Sequence, residues 1–386
     1  MFTEIEEHII QYAKNPTSGP KIAVIGGGTG LSTLLRGLKL FSNNLTAIVT
    51  VADNGGSSGM LREDLGILPP GDIRNCILAL ADTEPLMSDL LNFRFKDGRL
   101  KGQNFGNLLI AAMSGISENF YDAVRNVSKV LAVKGRVLPV SLQDLQISAR
   151  LRDGSVIRGE FEIGHRHTAV DNDIVDIFMD PENARALPEA VETLLSADMI
   201  ILGPGSLFTS IIPNLIFPEI TRSIRSNGAL KIYVCNIMTQ PAETMGFTAS
   251  RHLQAILHHA GQERAAGLVD TCIVNNAWID RQQIARYQLE SAIPVMADRE
   301  SVEQLGVSII EAPLACINNG VIRHDHMILA RMILQQFLEN QQKHQHGRLA
   351  KAAVQMAGQP LGHPSAKIPG GAAGQPAAEK LRRLAE

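Results

Sequence analysis

The chain has 386 residues, of which 45% are hydrophobic and 19% charged, and its 36 Lys and Arg residues against 39 Asp and Glu residues give a formal net charge of -3. This is the composition of a globular protein with enough apolar side chains for a sizeable core. A nearly balanced charge disfavours a protein-wide electrostatic grip on nucleic acid, which requires a dense basic surface. We therefore expect no nucleic-acid partner.

The sequence shows no evident targeting segment and no pattern of disulfide or metal-binding residues. Its four cysteines are dozens of residues apart, which disfavours a local redox pair or zinc knuckle. The histidines lack the spaced carboxylates or cysteines of a zinc set, so we predict no built-in metal site. Residues 4–14 form an acidic, helix-like segment instead of a basic leader, and no window approaches the roughly 20 apolar residues of a bilayer span. We expect a cytoplasmic protein with no membrane span.

Short apolar stretches, each followed by a helical pattern, recur along the chain from Lys21. This alternation predicts an α/β fold with a mainly parallel sheet covered on both faces, because doubly buried strands read as continuous apolar runs. The predicted strands are 21–25, 45–52, 137–140, 174–179, 198–202, 231–235, 269–274 and 307–310.

Two segments depart from this pattern. Residues 145–164 alternate apolar and polar positions around an Asp153-Gly154 turn, which predicts a β-hairpin antiparallel to the other strands. From about residue 343 the chain is rich in Ala, Gly, Pro, Gln and His, with seven Lys and Arg against two Glu, a net charge of +5. Such a segment buries too little apolar surface to offset its ordering entropy, so it predicts a disordered tail. The predicted organisation is therefore a helical extension at 1–20, one domain at 21–342 and the tail at 343–386.

The first strand leads into a glycine-rich turn. Glycines allow the backbone to approach a ligand closely, and the first N–H groups of the following helix can bind a phosphate. The pattern is neither the dinucleotide fingerprint, because Leu31 stands where its third glycine belongs, nor a P-loop. An ordinary strand-helix corner is the alternative interpretation. The candidate ligand-binding residues are Gly26, Gly27, Gly28, Thr29 and Gly30.

The second strand ends in a similar loop, DNGGSSG. Loops at successive strand ends lie on the same edge of a parallel sheet, where ligands bind. Asp53 could hold a ribose hydroxyl, a metal ion or a substrate proton, while Ser57 and Ser58 could donate to a phosphate. Asn54 belongs to the same candidate set. The alternative is a capped, mobile loop.

Two later blocks place amides at the starts of helices. Asp72 is positioned to cap a helix and Asn75 to lie one turn inside it, and Asn104 and Asn107 repeat the arrangement. A cap requires only one such residue, so the additional amides could recognise a base or a sugar. Ordinary hydrogen bonding within the loops is the alternative.

Further candidates follow later strands. Gly203, Gly205 and Ser206 form another strand-helix corner, which indicates either an anion-binding helix start or a simple serine cap. Asn236 follows the next strand. Tyr287 could stack on a base, or simply pack at the surface, and Arg323 could meet a diphosphate.

Taken in order, these blocks resemble the gluconeogenesis-factor family of the YvcK type, a cousin of 2-phospho-L-lactate transferase. The resemblance covers about residues 21–341 and rests on seven blocks, GGGTG, TVADNGGSSGMLR, PPGDIRNC, FGNLLIAA, GPGSLFTSIIPNL, NIMTQPAET and VIRHD.

The resemblance implies a three-layer Rossmann-like domain that is cytoplasmic, forms a homo-oligomer and binds a nucleotide sugar such as UDP-N-acetylglucosamine. It implies a regulatory protein needed for cell shape and wall synthesis on gluconeogenic carbon sources, with regulatory protein partners and no established reaction. By block matching, the candidate residues that fall on motifs of this family are Gly26 to Gly30, Asp53 to Ser58, Asp72, Asn75, Asn104, Asn107, Gly203 to Ser206, Tyr287 and Arg323.

The transferase cousin implies the alternative function. It moves a phospholactyl group from a guanosine diphosphate donor to a deazaflavin with magnesium, so Asp53 is the candidate catalytic residue and Mg²⁺ the candidate cofactor. Two observations favour the regulator. The loops match the YvcK type, and the chain is only 4% aromatic, which leaves little to sandwich a deazaflavin ring.

Overall fold

The structure is a computed structural model, and it describes residues 3–82, 85–166, 172–318 and 320–357. Its strands are β1 (Ile22–Gly26), β2 (Leu45–Val49), β3 (Arg136–Pro139), β4 (Gln146–Leu151), β5 (Val156–Arg158), β6 (Ile174–Asp180), β7 (Met199–Leu202), β8 (Leu230–Val234), β9 (Thr271–Asn275), β10 (Ser308–Ala312), β11 (Ala315–Asn318) and β12 (Val321–His324).

Helices connect most of these strands. They are α1 (Glu4–Lys14), α2 (Gly28–Leu38), α3 (Gly56–Leu65), α4 (Gly71–Leu80), α5 (Pro85–Asn92), α6 (Phe105–Gly115), α7 (Phe120–Val130), α8 (Glu160–Gly164), α9 (Pro188–Ser196), α10 (Ile212–Leu215), α11 (Pro218–Ser226), α12 (Ala249–His259), α13 (Arg281–Gln288), α14 (Arg299–Gln304) and α15 (His326–Ala357). A short π-helix, Leu207–Ile211, precedes α10.

Seven parallel strands form the central sheet, in the order β10-β9-β8-β7-β1-β2-β3. Every residue of β1, β2 and β8 is buried, as a sheet covered by helices on both faces requires. The predicted α/β class and mainly parallel sheet are confirmed.

The strand order reverses beside β1. The chain first adds β2 and β3 on one side of β1, and later adds β7, β8, β9 and β10 on the other. Connections leave β1 and β7 in opposite directions at such a point, so a crevice opens at the carboxyl ends of these two strands. The topology therefore places a ligand site there.

The predicted hairpin forms, with its turn at Asp153 and Gly154, but it belongs to a second sheet. In this three-stranded sheet, β4 pairs antiparallel with both β5 and β6. The prediction that residues 174–179 join the parallel sheet is therefore wrong, since β6 alternates buried and exposed positions as a one-sided strand does. The second hairpin strand also ends earlier than predicted, at Arg158, because Gly159 takes a φ of 99° and α8 begins at the next residue.

The two ends of the chain bear on the predicted boundaries. Ile9 of α1 belongs to the main hydrophobic core. The contacts divide the chain into a unit that ends at Asn340 and a second that begins at Gln341. The predicted start of the tail at 343 falls within α15, which continues to Ala357, and the rest of the predicted tail, 358–386, lies outside the described residues.

Over the ranges that the structure describes, none of the helices is both long and apolar enough to cross a bilayer.

The crossing of α2 and α15 gives a test of the packing. A Cβ atom at Gly37 would overlap the backbone carbonyl of His326 and lie 3.0 Å from the Cβ of Ala330. Helix propensity alone favours Gly37→Ala by about 1 kcal/mol. We expect the opposite, a loss of about 1 to 3 kcal/mol in the free energy of unfolding, because the two helices must separate.

Urea denaturation measures this change, with Gly115→Ala as the matched control. Gly115 ends α6 and its Cβ would meet open space, so the control should be neutral or slightly stabilising. A stabilised Gly37→Ala protein would show that α2 and α15 are not in this close contact.

Candidate functional site

A cleft of about 280 Å³ lies at the point where the strand order reverses. The loops after β1, β7 and β8 contribute one part of its lining, and α13 and β12 contribute another. The residues that line it are Gly27, Gly28, Thr29, Gly30, Thr33, Pro204, Gly205, Ser206, Ser210, Asn236, Ile237, Met238, Thr239, Gln240, Pro241, Tyr287, Glu290, Ala292, Ile322, Arg323 and His324.

The glycine loop after β1 is pressed against the loop after β7. A Cβ at Gly30 would lie 2.7 Å from the carbonyl oxygen of Pro204, so only glycine allows this approach. Gly28 adopts a φ of 70°, which likewise favours glycine. α2 begins at Gly28, and its first turn therefore borders the cleft with N–H groups that have no partner within the helix.

The loop after β7 is fixed by amide side chains. Asn236 accepts a hydrogen bond from the Gly205 N–H at 3.2 Å and donates one to the Gly205 carbonyl at 2.8 Å. Gln240 Nε2 donates to Ser206 Oγ at 2.7 Å. The π-helix begins directly after Ser206, whose side chain makes no capping hydrogen bond. In this arrangement Asn236 supports the wall of the cleft through the backbone.

The wall formed by α13 and β12 carries an aromatic ring and a cation. Tyr287 Oη accepts a hydrogen bond from the Ile322 N–H at 2.9 Å, which ties α13 to β12. Arg323 is exposed and makes no ion pair with another described residue. The neighbouring His324 is neutral at physiological pH, since burial lowers its pKa to about 4. Arg323 is therefore the charged group of this wall that can meet an anion.

A group of carboxyls adjoins the glycine loop on the side of β2. Asp72 accepts a hydrogen bond from the Gly28 N–H, and burial together with the negative charge of Asp53 raises the pKa of Asp72 to about 7. Burial and the charges of the neighbouring carboxylates raise the pKa of Glu160 to about 8. Near neutral pH Glu160 is therefore largely protonated and Asp72 partly so, whereas ordinary carboxyls are ionised.

Glu243 completes this acidic group. It is buried and accepts hydrogen bonds from the Phe208 N–H at 2.8 Å and from Thr209 Oγ1 at 2.9 Å. Burial raises its pKa, while these two hydrogen bonds oppose the shift. Thr209 also interacts with Glu160, so the π-helix links the two glutamates.

A polar network of buried and half-buried side chains lies close to Asp72. Arg74 donates to Asn107 Oδ1 at 3.1 Å and to Asn75 Oδ1 at 2.7 Å. Ser57 Oγ donates to Gln103 Oε1 at 2.7 Å and accepts from Asn107 Nδ2 at 3.1 Å. The amides of Asn75 and Asn107 thus hold the guanidinium of Arg74 beside the acidic group.

The sequence is similar to those of known proteins. The family model described as 2-phospho-L-lactate transferase CofD matches residues 22–315. A protein named gluconeogenesis factor from Bacillus subtilis is 46% identical over 319 residues, which is 82% of this chain and 97% of that protein. The chain belongs to the gluconeogenesis-factor family, which shares the CofD domain.

Other members support this membership. A gluconeogenesis factor from Listeria innocua is 40% identical over 306 residues, 79% of this chain and 92% of that protein. A solved structure of a UPF0052-family protein from Bacillus halodurans is 43% identical, covers 81% of this chain and 99% of its own, and superposes with a TM-score of 0.77. The predicted family is confirmed.

In this gluconeogenesis-factor chain, the predicted site residues fall into two neighbouring sets. Those that line the cleft are Gly27, Gly28, Thr29, Gly30, Gly205, Ser206, Asn236, Tyr287 and Arg323. Gly26 ends β1, and Gly203, with a φ of 74°, begins the loop after β7.

The second set surrounds the acidic group. Ser58 accepts from the Gly71 N–H at 3.1 Å, and Asn104 caps α6 by accepting from the Asn107 N–H at 3.0 Å. The prediction that Asp72 caps a helix is wrong, because α4 begins one residue earlier and the carboxylate binds Gly28 instead. Asn54 holds α8, accepting from the Phe161 N–H at 2.7 Å.

The sequence analysis missed Arg74, Gln103 and Glu160. Arg74 stands between two predicted residues in the PPGDIRNC block, and a cation in that position could have been noticed there. Glu160 gave no signal, because the hairpin that carries it reaches the site only through the packing of α8 on the Asp53 loop.

One further group has metal-ligand geometry. Asp176, His258 and His259 each offer a ligand atom within 4.8 Å of the others. However, His259 Nε2 already accepts from the Ile177 N–H at 2.9 Å, and Nδ1 therefore donates to the Ala255 carbonyl at 2.7 Å. Both ring nitrogens are used, so this group has no free histidine lone pair from His259 for a metal ion.

The raised pKa of Asp72 predicts a pH-dependent stability. Because the folded protein keeps the Asp72 proton up to about pH 7, whereas an unfolded aspartate loses it near pH 3.9, the free energy of unfolding falls as the pH rises through this window. Asp72→Asn removes the titration and can still accept from Gly28. We expect the variant to match the wild type near pH 4 and to exceed it at pH 8 by at most about 4 kcal/mol.

Thermal and urea denaturation at both pH values test this expectation. Asp97→Asn, an exposed carboxyl, gives the baseline for removing a carboxylate elsewhere on the surface. If Asp72→Asn is less stable than the wild type by the same amount at both pH values, Asp72 contributes through its hydrogen bond to Gly28. Burial would then not disfavour the ionised form of Asp72.

Proposed function

We propose that this protein binds a nucleotide sugar of the UDP-N-acetylglucosamine type in the cleft beside β1 and β7, and that this binding regulates wall synthesis and cell shape on gluconeogenic carbon sources. The observation that carries the proposal is the juxtaposition, across one cleft, of the α2 N-terminus and the unpaired Arg323.

This juxtaposition suits a diphosphate. Apart from the Gly28 N–H, which Asp72 occupies, the first turn of α2 offers N–H groups without a partner in the helix and the positive end of the helix dipole, and glycines at its start let an anion approach the backbone. Arg323, which lines the same cleft, offers a guanidinium whose paired N–H donors match phosphate oxygens. A diphosphate in the cleft would be bound by both groups.

The remainder of the cleft suits a base and a sugar. Tyr287 presents an aromatic ring on the Arg323 side, where a base can stack. Gln240, Thr239 and Ser206 supply polar atoms on the side of β7 and β8. A volume of about 280 Å³ is close to the lower end, about 300 Å³, of small-molecule sites.

The hydroxyl and imidazole groups of the cleft favour binding over covalent catalysis. Ser206 Oγ accepts a hydrogen bond from the amide of Gln240, and His324 Nε2 lies 3.2 Å from the Cys235 carbonyl oxygen. Neither is arranged as a nucleophile beside a general base. A regulator that senses ligand concentration requires no such pair.

Replacing the cation tests the proposal. Arg323→Gln removes one charge-assisted contact to the diphosphate, worth about 1.5 to 3 kcal/mol, so we expect the Kd for UDP-N-acetylglucosamine to rise about 10- to 100-fold. Isothermal titration calorimetry measures this Kd, with Arg281→Gln as the matched control because Arg281 is exposed on α13 outside the lining of the cleft.

Phosphorus NMR with UDP-N-acetylglucosamine, GDP and NAD identifies the preferred nucleotide and reveals any turnover. Absence of UDP-sugar binding by the wild type, or equal losses in the two arginine variants, would refute the proposed site.

The acidic group favours one alternative, a transferase of phosphorus-containing groups. Asp53 lies close enough to Asp72 and Glu160 to raise their pKa values, and once those two groups release their protons the acidic group would offer the hard carboxylate oxygens that fit Mg²⁺. Bound there, Mg²⁺ would neutralise charge on a diphosphate donor. Asp53 accepts from the Gly55 N–H at 2.8 Å, which fixes its carboxylate at the start of α3.

Asp53→Asn separates the two functions. If the protein is a transferase, product formation with a nucleoside diphosphate donor should collapse, because transfer depends on charge stabilisation. If it is a binding regulator, metal-free binding of the UDP-sugar should weaken only modestly. Parallel assays of product formation and of affinity without Mg²⁺ decide between these outcomes.

A further inference from the structure

The segment between α4 and α6 leaves a row of large apolar side chains in solvent. Leu91 is the residue of α5 that is buried, while Leu86 is 80% exposed and Leu90 43% exposed. Leu86 and Leu90 lie one turn apart on α5, and Phe93, which is 47% exposed, follows directly after the helix ends at Asn92. Exposed apolar side chains therefore extend from α5 into the residue that follows it.

A basic loop follows directly. Phe95 exchanges backbone hydrogen bonds with Gly102 and Gln103, which closes a narrow loop whose tip carries the exposed Leu100. Two acidic residues, Asp89 and Asp97, lie in the segment 85–102, whose net charge is +2 because it also carries four exposed basic residues. The four are Arg94, Lys96, Arg99 and Lys101. None of these four forms an ion pair with another residue in the described part of the chain.

We propose that this basic-apolar lobe, residues 85–102, docks on the surface of an anionic phospholipid bilayer. Two kinds of side chain together hold a peripheral protein at a bilayer. Apolar side chains enter the headgroup boundary, and neighbouring cations without an ion-pair partner bind the lipid phosphates. The lobe supplies both on one short segment of a chain whose net charge is -3.

The shape of the lobe favours a bilayer over a folded partner. Leu86 is the most exposed of its large apolar residues, with four fifths of the residue in solvent. A rigid protein partner needs a complementary pocket for each projecting side chain, whereas a fluid headgroup layer accepts them without one. Long Lys and Arg side chains can extend to the phosphates while their methylene stems remain in contact with apolar surface.

The lobe is connected to the candidate site. Asn104 donates from Nδ2 to the Phe93 carbonyl at 3.2 Å, and its N–H donates to Ser57 Oγ at 3.1 Å. The end of the lobe is thus joined, through Asn104, to Ser57 in the first turn of α3, which follows the loop that carries Asp53. Docking would place that loop next to the membrane surface.

Vesicle co-sedimentation of the purified full chain tests the proposal. We expect binding to phosphatidylcholine vesicles that contain one third phosphatidylglycerol, little binding to phosphatidylcholine alone, and loss of binding at high salt. Leu86→Ser with Leu90→Ser should lower the partition to anionic vesicles at least about tenfold, and so should Lys96→Glu with Lys101→Glu.

Matched controls keep the result specific. Leu195→Ser replaces a leucine that is 51% exposed on α9, and Arg222→Glu with Arg225→Glu reverses two exposed charges on α11. Both controls should bind vesicles as the wild type does. Equal losses in controls and lobe variants, or no preference of the wild type for anionic vesicles, would overturn the proposal.

Analytical ultracentrifugation distinguishes the competing occupant. A wild-type dimer that the Leu86→Ser and Leu90→Ser pair converts to monomer, without vesicle binding by either protein, would show that a second copy of the chain covers the lobe.

Discussion

The contact between the loops that follow β1 and β7 determines most of the architecture described above. The backbone of Gly30 lies so close to Pro204 that no side chain fits between them. This contact lies just beyond the paired strands β1 and β7, where the strand order reverses. It also gives the α2 N-terminus a fixed position at the cleft, so a phosphate could bind backbone groups that are already in place.

Charge is distributed unevenly around that helix start. On one side Asp72 occupies the Gly28 N–H and is surrounded by other carboxyls, and on the other side Arg323 is free of ion pairs with described residues. An anionic ligand would therefore be drawn toward Arg323 and repelled from ionised Asp72, unless protons or a cation neutralise the acidic group. The raised pKa values of Asp72 and Glu160 provide this neutralisation partly through protons near pH 7.

Local sequence patterns predicted where much of the candidate site lies, but not which residues within it form hydrogen bonds with one another. The glycine loop, Asn104 as a helix cap and the corner after β7 all lie where strand-helix alternation predicts them. By contrast, Asn75 and Asn107 looked like ligand-reading amides, yet both accept hydrogen bonds from Arg74. An amide has the same appearance in a sequence whether its partner is a ligand or a buried guanidinium, since the partner is distant along the chain.

The sequence by itself determined the strands of the parallel sheet, the β4–β5 turn and the family, because continuous apolar runs, an Asp-Gly turn and ordered blocks are local properties. Only the tertiary structure decided that β6 leaves the parallel sheet to pair with β4, and that Glu160 reaches the acidic group. Both depend on contacts between residues far apart in the chain, such as that of Asn54 with Phe161. Which distant surfaces meet is set by the packing of whole elements, and no short stretch of sequence records it.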